Sequence, residues 1–598
     1  MERKTRFLSS NFKMFGNMRM VRIYLIPTTL NFVKQIQTIT RNKDYEKAVT
    51  ALNSLQTNTA VLQETKNDRS SLDFQVKKFE KTVTYLERSG INLEKLDELS
   101  VIHVTGTKGK GSTCAFTESI LRHHGYRTGF YSSPHLVAVR ERIRIDGQPL
   151  SQQDFARYFW KVHNSIKELK ETEKDMPPYF LFLTVMAFNV FLWEKVDVAI
   201  VEVGIGGEFD STNILRKVPT IGITSLGLDH TSLLGNTIEE IAWQKAGIMK
   251  PGSITFTADQ QQQAALEVLK ERAIEKKSTL LICPPLESYD WSSFAPQLEN
   301  VASVQVLNAS LAIQLANAWM WQQTNGVQRC MSCNGLMSQR SAGASAEQDL
   351  NLLVAPSFPI TSKVALGLRF CSWPGRNQII HHGLFHYFLD GAHTVESLWF
   401  CADWFIRNSG AILNKSTPFR VLIFNCTGDR DPKTLLMPLL CCGFHLVVFC
   451  PNTITTSTNS SSDQANYMTS ITQQLKRCRR SQEAWCELQQ EIIETEMNAF
   501  TELCYPVGFP NISKRLIESC NSSTIDTQVK LFPCVSDTLA YLEKKAKAEN
   551  HDYHIFVTGS LHLVGAVLSI LDPDLTLTPF QLSGDMNVSK TASVKLSS

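Results

Sequence analysis

Apolar residues along this chain fall into short unbroken runs separated by longer stretches of helical period. "SVIHVTG" (Ser100–Gly106), "DVAIVEVGIGG" (Asp197–Gly207) and "PTIGITSLGLDH" (Pro219–His230) are β-rich runs of the first kind. Runs of this length suit strands buried on both faces. Between them, "FARYFWKVHNSIKEL" puts Phe155, Phe159, Val162, Ile166 and Leu169 on one helical face. "STCAFTESILRHHG" has helical character and a stop at Gly125, and "TIEEIAWQKAGIMKPG" opens with a capping box, Thr237 to Glu240, and stops at Pro251-Gly252. The apolar stretch Tyr179–Trp193 is shorter than the ~20 residues needed to cross a bilayer and contains Thr184 and Asn189, so it predicts a buried helix and no integral membrane segment.

Strand–loop–helix repetition predicts an α/β domain with a parallel sheet. From Gln322 to Gln348 the composition shifts to Ser, Gly, Gln and Asn, which reads as a linker or insertion. Beyond it, "FRVLIFNCTGDRDP", "HLVVFCP" and "HIFVTGSLHLVGAVL" repeat the α/β pattern and predict a second, Rossmann-like domain. Residues 452–528 are polar and irregular and read as a variable surface insertion; the residues after Leu575 read as a loose tail. The expected domains are therefore 45–360, with the linker at 322–360, and 361–598.

Composition changes this picture mainly at the start. Nine Lys or Arg and no Asp or Glu lie between Arg3 and Lys43, the composition of a mitochondrial transit peptide over residues 1–44. Initiation at Met14, Met18 or Met20 would shorten it, so both mitochondrial matrix and cytoplasm are expected locations. A net charge of +3 argues against a nucleic-acid partner. Fifteen cysteines without a regular framework read as reduced thiols, and the Cys330–Cys333 pair as a loop without a metal.

The candidate chemistry starts at Gly106–Ser112, "GTKGKGS", between a predicted strand and a predicted helix. Glycines let the backbone approach an anion, and the helix dipole favours phosphate. Lys110 is placed to reach terminal phosphates and Ser112 to meet a nucleotide's Mg²⁺; Thr107, Lys108, Gly109 and Gly111 complete the loop. The expected N-terminal fold is thus P-loop ATPase-like. Glu202 and His230 end the next two predicted strands, at the edge where open α/β sheets bind ligands. A strand-end carboxylate such as Glu202 needs a balancing cation.

The loop resembles that of the Mur ligase superfamily, ATP-dependent amide-bond formers. "GFYSSPHLVAVRERI" (Gly129–Ile143), "VEVGIGGEFDSTN" (Val201–Asn213), "LGLDHTSLLG" (Leu226–Gly235) and "IAWQKAGIMK" (Ile241–Lys250) narrow the resemblance to the folylpolyglutamate synthases. "WPGRNQ" (Trp373–Gln378), "LDGAHT" (Leu389–Thr394), "FNCTGDRDP" (Phe424–Pro432) and "VTGSLHLVG" (Val557–Gly565) extend it through the second domain, so it spans about Tyr45 to Leu571. The resemblance implies addition of L-glutamate to tetrahydrofolate and its polyglutamates through an acyl phosphate. It implies ATP and Mg²⁺, with a monovalent cation such as K⁺ as a further candidate, and the chain is expected to be a monomer. By the same resemblance Ser132, Glu202, His230 and Lys245 hold Mg²⁺, with Lys245 carbamylated; Lys110, Lys245 and His230 are catalytic; Arg376, Asp390 and His393 contact ATP. Dihydrofolate synthase, acting on dihydropteroate with the same core, is the rival. Glu208 departs from the family pattern and faces either solvent or the site.

Overall fold

The computed structural model describes residues 43–56, 72–169, 175–292, 302–325, 353–412, 417–428, 430–456, 463, 470–494, 527–549 and 551–575. Residues 1–42 of the expected transit peptide, the Cys330–Cys333 pair and the tail beyond Leu575 lie outside them; Lys43 and Asp44 open the helix Lys43–Asn53.

In the first half, the strands β1 (Val101–Thr105), β2 (Thr128–Tyr131), β3 (Ile143–Ile145), β4 (Gln148–Pro149), β5 (Val198–Glu202), β6 (Thr220–Ile223), β7 (Ile254–Thr257) and β8 (Thr279–Ile282) form one sheet. Its order is β4-β3-β2-β5-β1-β6-β7-β8, parallel except for the β2-β3-β4 edge. β1 lies between β5 and β6, with every residue buried, which explains its unbroken apolar run. From β1 the chain crosses to β2 on one side, and later to β6 on the other. The C-terminal ends of β1, β5 and β6 therefore flank a crevice at a topological switch point, where ligands bind in open sheets.

The second half has β9 (Gln378–His382), β10 (Phe385–Leu389), β11 (Phe419–Phe424), β12 (Leu446–Phe449), β13 (Gln528–Leu531) and β14 (Tyr553–Thr558) in the order β13-β12-β11-β14-β10-β9. All pairings are parallel except the β9–β10 hairpin. Both halves are thus α/β, as the alternation predicts.

Several local expectations need correction. The helix at Gln152–Glu168 buries Phe155, Phe159, Val162 and Ile166, but Leu169 falls just past its end and is 59% exposed. The capping box at Thr237 and Glu240 is present, yet the helix ends at Ala246, five residues before Pro251. The helix Ser303–Asn325 runs into the expected linker and buries Gln322. The insertion is not all surface loop, for Ile471–Glu494 is a helix whose Cys478, Trp485 and Leu488 join the second half's core. Its polar composition hides those few apolar contacts from a periodicity reading. The helix Ser362–Arg369 packs Val364 and Leu368 into the first half's core, which extends to Cys371.

The helix Tyr179–Trp193 buries every residue from Leu181 to Phe191, and no helix among the described residues is long and apolar enough to cross a membrane. Ten described cysteines are free thiols, nine of them buried, whereas Cys441 is disulfide-bonded and departs from the all-reduced expectation.

Candidate functional site at the cleft between the two sheets

The glycine loop leaves β1 and enters the helix Lys110–His123. Its tightness has a steric cause. Gly106 has φ +145°, and a Cβ there would lie 1.8 Å from Thr224 Oγ1; Gly109 has φ +88°, with Asn308 Oδ1 2.1 Å from the same imagined atom. No larger residue fits either position. Gly109 is the helix N-cap without a side-chain cap bond, and the first turn carries no acid. Its orphan N–H groups and positive dipole end are left for an external anion.

Lys110 does not reach outward. Its Nζ folds back on the Gly106 carbonyl at 3.0 Å. Lys245 Nζ donates to that same carbonyl at 2.7 Å. Two lysine amines therefore share one oxygen. Burial, reinforced by Lys110, drives the Lys245 amine well below its ordinary pKa. Glu202 ends β5, is 4% exposed, and accepts the Ser133 N–H at Oε2, 2.9 Å away. Burial raises its pKa, opposed by Lys110, by this bond and by Arg376.

Lys108 points the other way and joins the halves. Its Nζ pairs with Asp229 at 3.2 Å and approaches His393 Nε2 at 3.4 Å. His393 donates Nδ1–H to Gly391 O at 2.8 Å, which leaves Nε2 as the acceptor toward Lys108. Burial and the Lys108 charge hold His393 neutral, its pKa lowered to about 3. Burial pushes the Asp229 carboxyl up, but Lys108, through its charge and its hydrogen bond, leads the contributions that outweigh it and hold the carboxyl below its ordinary range.

In the second half, Asp390 follows β10. Its Oδ1 accepts the Ala392 N–H and its Oδ2 the Asn377 N–H, both at 2.8 Å. Those bonds hold together the turn and the segment that carries Arg376. Burial raises the Asp390 pKa against Arg376 and these bonds. Burial lowers that of Arg376, opposed by Asp390 and Glu202, so this guanidinium sits between carboxylates of the two halves.

All these elements line one cavity of about 1920 Å³ between the sheets. It is larger than the 300–1,000 Å³ or so of a typical small-molecule site, and so has room for more than one substrate. Thr107, Lys108, Gly109, Lys110, Gly111, Ser112, Glu202, His230, Arg376, Asp390 and His393 line it. Ser132 and Lys245 do not; both are buried behind the wall, where Ser133 and Gln244 are the neighbours that reach the cavity. Glu208 also lies off the cavity, and pairs with Arg272 and with Lys276 at 3.1 Å. It is a staple to the helix Gln263–Glu275 and nearby Lys276, facing neither the site nor open solvent. Among the described residues no three His, Cys, Asp or Glu side chains gather as a metal cage.

Comparison with known proteins fixes the family. No family model matches the chain. It is 42% identical over 574 residues to the mitochondrial folylpolyglutamate synthase of Homo sapiens, covering 89% of this chain and 92% of that protein. This chain belongs to the folylpolyglutamate synthase family. A putative folylpolyglutamate synthase of Caenorhabditis elegans is 38% identical, covering 88% of this chain and 92% of that one. The fold matches the Mycobacterium tuberculosis folylpolyglutamate synthase complexed with ADP and AMPPCP, with a TM-score of 0.56 at 20% identity over 86% of this chain and 98% of the other. It also matches E. coli FolC in complex with DHPP and ADP, with a TM-score of 0.52 at 21% identity over 83% and 93%.

Within this family fold, the sequence blocks also held cavity residues not singled out as site residues. Arg142 lies in "VRERI", Asp229 in "LGLDHTS" and Arg430 in "CTGDRDP", and all three line the cavity. The sequence signal available for them was their charge inside the blocks that carry the family resemblance. Asn308 had none, because it sits in a helix of mixed composition and meets the loop only through packing.

Proposed function

We infer that this chain catalyses ATP-dependent addition of L-glutamate, through its amino group, to the γ-carboxylate of tetrahydrofolate and its polyglutamates, releasing ADP and phosphate. One observation carries the reading. The glycine loop and Glu202 of one half share a cavity with Arg376, Asp390 and His393 of the other. A carboxylate is a poor electrophile. Phosphorylating it creates an acyl phosphate with a good leaving group, which the amine of glutamate attacks.

The residues divide this work. The loop amides and the helix N-terminus take the phosphates. Lys110, released from the Gly106 carbonyl, neutralises charge on the transferring phosphoryl group. Arg376 clamps phosphate oxygens with its fixed donors, while Asp390 and His393 border the nucleotide. Closure of the two halves completes the site and excludes water.

Mg²⁺ fits the donor set present. This cation keeps few protein ligands and completes its shell with water and phosphate oxygens, and Glu202 offers a hard carboxylate at the strand end. It would supply charge neutralisation on the phosphates. Ser132, His230 and Lys245 are the other candidate holders. Lys245 serves as its carbamate: burial supplies the neutral amine that CO₂ requires, and the product is an anionic oxygen ligand. Forming it requires breaking the bond to Gly106. K⁺ is a candidate second cation.

Residues 1–44 direct import into the mitochondrial matrix, in keeping with the mitochondrial names of the Homo sapiens and Bos taurus relatives. A later start gives a cytoplasmic monomer.

The test combines ATP, radiolabelled glutamate and either tetrahydrofolate or dihydropteroate, with products sized by chromatography. Label should enter products longer than the tetrahydrofolate supplied. Label on dihydropteroate alone would make the chain a dihydrofolate synthase, and no label on either would end the ligase reading.

A further inference from the structure

Asp463 belongs to the second half, between β12 and the helix Ile471–Glu494, yet it makes three contacts with the first. Its Oδ1 accepts the Tyr45 hydroxyl at 2.6 Å and the Val139 N–H at 3.0 Å. Its main-chain oxygen accepts from His135 Nε2 at 3.0 Å. The tautomer follows from the other ring nitrogen: His135 Nδ1 accepts from Arg142 Nε at 3.0 Å, so Nε2 carries the proton. Asp463 is 7% exposed. A carboxylate carried into such a place from a polar insertion is costly unless donors meet it, and here donors of the other half meet it.

Two of those donors belong to the segment Ser132–Arg142. This segment supplies the site with the Ser133 N–H that holds Glu202 and with the Arg142 guanidinium, which lines the cavity 5.4 Å over the Tyr179 ring. The second half grips the segment at a further point, because Leu136 is buried in the second half's core beside Val564.

We propose that Asp463 is a positioning residue, a latch that fixes the Ser132–Arg142 segment across the cleft and so aims Arg142 at a carboxylate of the folate substrate. A guanidinium presents its donors in a rigid fork that matches a carboxylate. The carboxylate's bond to the Val139 N–H ties the segment down three residues before Arg142, and the main-chain bond to His135 holds Arg142 Nε; losing the carboxylate removes the first tie and leaves the second. The proposal rests on the ligase reading above.

The test uses the full chain and compares steady-state kinetics of wild type, Asp463→Ala and Tyr45→Phe, with melting temperatures measured in parallel. Asp463→Ala should raise KM for the tetrahydrofolate substrate on the order of tenfold, the scale of losing hydrogen bonds to a charged group. KM for ATP should stay within about twofold, since the latch does not touch the glycine loop. Tyr45→Phe, which removes one donor and keeps the ring, should move the folate KM the same way by less. A lowered melting temperature with both KM values unchanged would make Asp463 a purely structural tie and overturn the proposal. So would parallel rises in the two KM values. If Asp463→Ala does not fold, Tyr45→Phe decides alone by the same two readings. Absence of glutamate incorporation by wild type would instead overturn the ligase reading.

Discussion

At the first-half wall of the cleft, Lys110 and, behind the wall, Lys245 both point at the Gly106 carbonyl, and Glu202 is buried near Lys110. On the second-half wall, Asp390 has both oxygens taken by the N–H groups of Ala392 and Asn377, and His393 is fixed to Gly391. The first wall is poorly satisfied, with two lysine amines on one carbonyl oxygen and a buried carboxylate that accepts the Ser133 N–H. The second wall holds polar groups that are locally satisfied. Unsatisfied buried charge is free energy available to a ligand that brings the missing partner, whereas satisfied groups set geometry. Chemistry is thus expected on the first wall and orientation on the second.

Four experiments would break or sharpen this contrast, from the largest expected effect down. Lys245→Ala should be nearly inactive, with partial recovery when a short carboxylic acid is supplied to fill the vacated ligand position. Lys245→Arg should fail as well, since a guanidinium is not carbamylated in this way; full turnover in that variant would show that only a positive charge is needed there. Next, Lys110→Ala should lose at least ~10²-fold in kcat, the scale of removing one electrostatic stabiliser. Near-normal glutamate incorporation would misplace the transferring phosphate. On the opposite wall, His393→Ala removes the acceptor for Lys108 and should cost roughly tenfold in kcat/KM. A loss as large as that of Lys110→Ala would erase the distinction between the walls.

The smallest effect concerns stability in acid. His103, in the central strand β1, is fully buried, and burial, aided by Lys250, lowers its pKa to about 3. The unfolded imidazole keeps a pKa near 6.5. Below that value the unfolded chain takes up a proton that the folded chain refuses. The stabilising difference is therefore present above about 6.5 and is lost as pH falls toward about 3, at roughly 1.4 kcal/mol per pH unit at most. His103→Gln should flatten the dependence of melting temperature on pH between 6 and 4. An unchanged slope would mean that other groups dominate acid unfolding.

The legible parts of the site share a physical property: their role is local. Gly106 and Gly109 are glycines because of the backbone they must adopt, and the strand before them and the helix after them are visible in the pattern. Glu202 is marked by a charge at the end of an apolar run. The illegible parts depend on what comes near. Nothing in "WQKAG" says that Lys245 is buried, or that its amine meets the loop 139 residues away in sequence. The insertion at 452–528 reads as surface because a helix needs only Cys478, Trp485 and Leu488 to dock on an existing core.

The sequence alone determined the two α/β halves, the phosphate-type loop and the strand ends that carry the site, since periodicity, glycine and buried charge are properties of short segments. Tertiary structure alone decided that Lys108 reaches His393, that Glu208 pairs with Arg272 and Lys276, that Ser132 and Lys245 lie behind the cavity wall, and that Asp463 crosses the cleft to Tyr45 and Val139. Those partners are set by which strand ends the sheet order brings together. Long-range pairing follows from the packing of whole elements, and a segment read by itself carries no record of its neighbours.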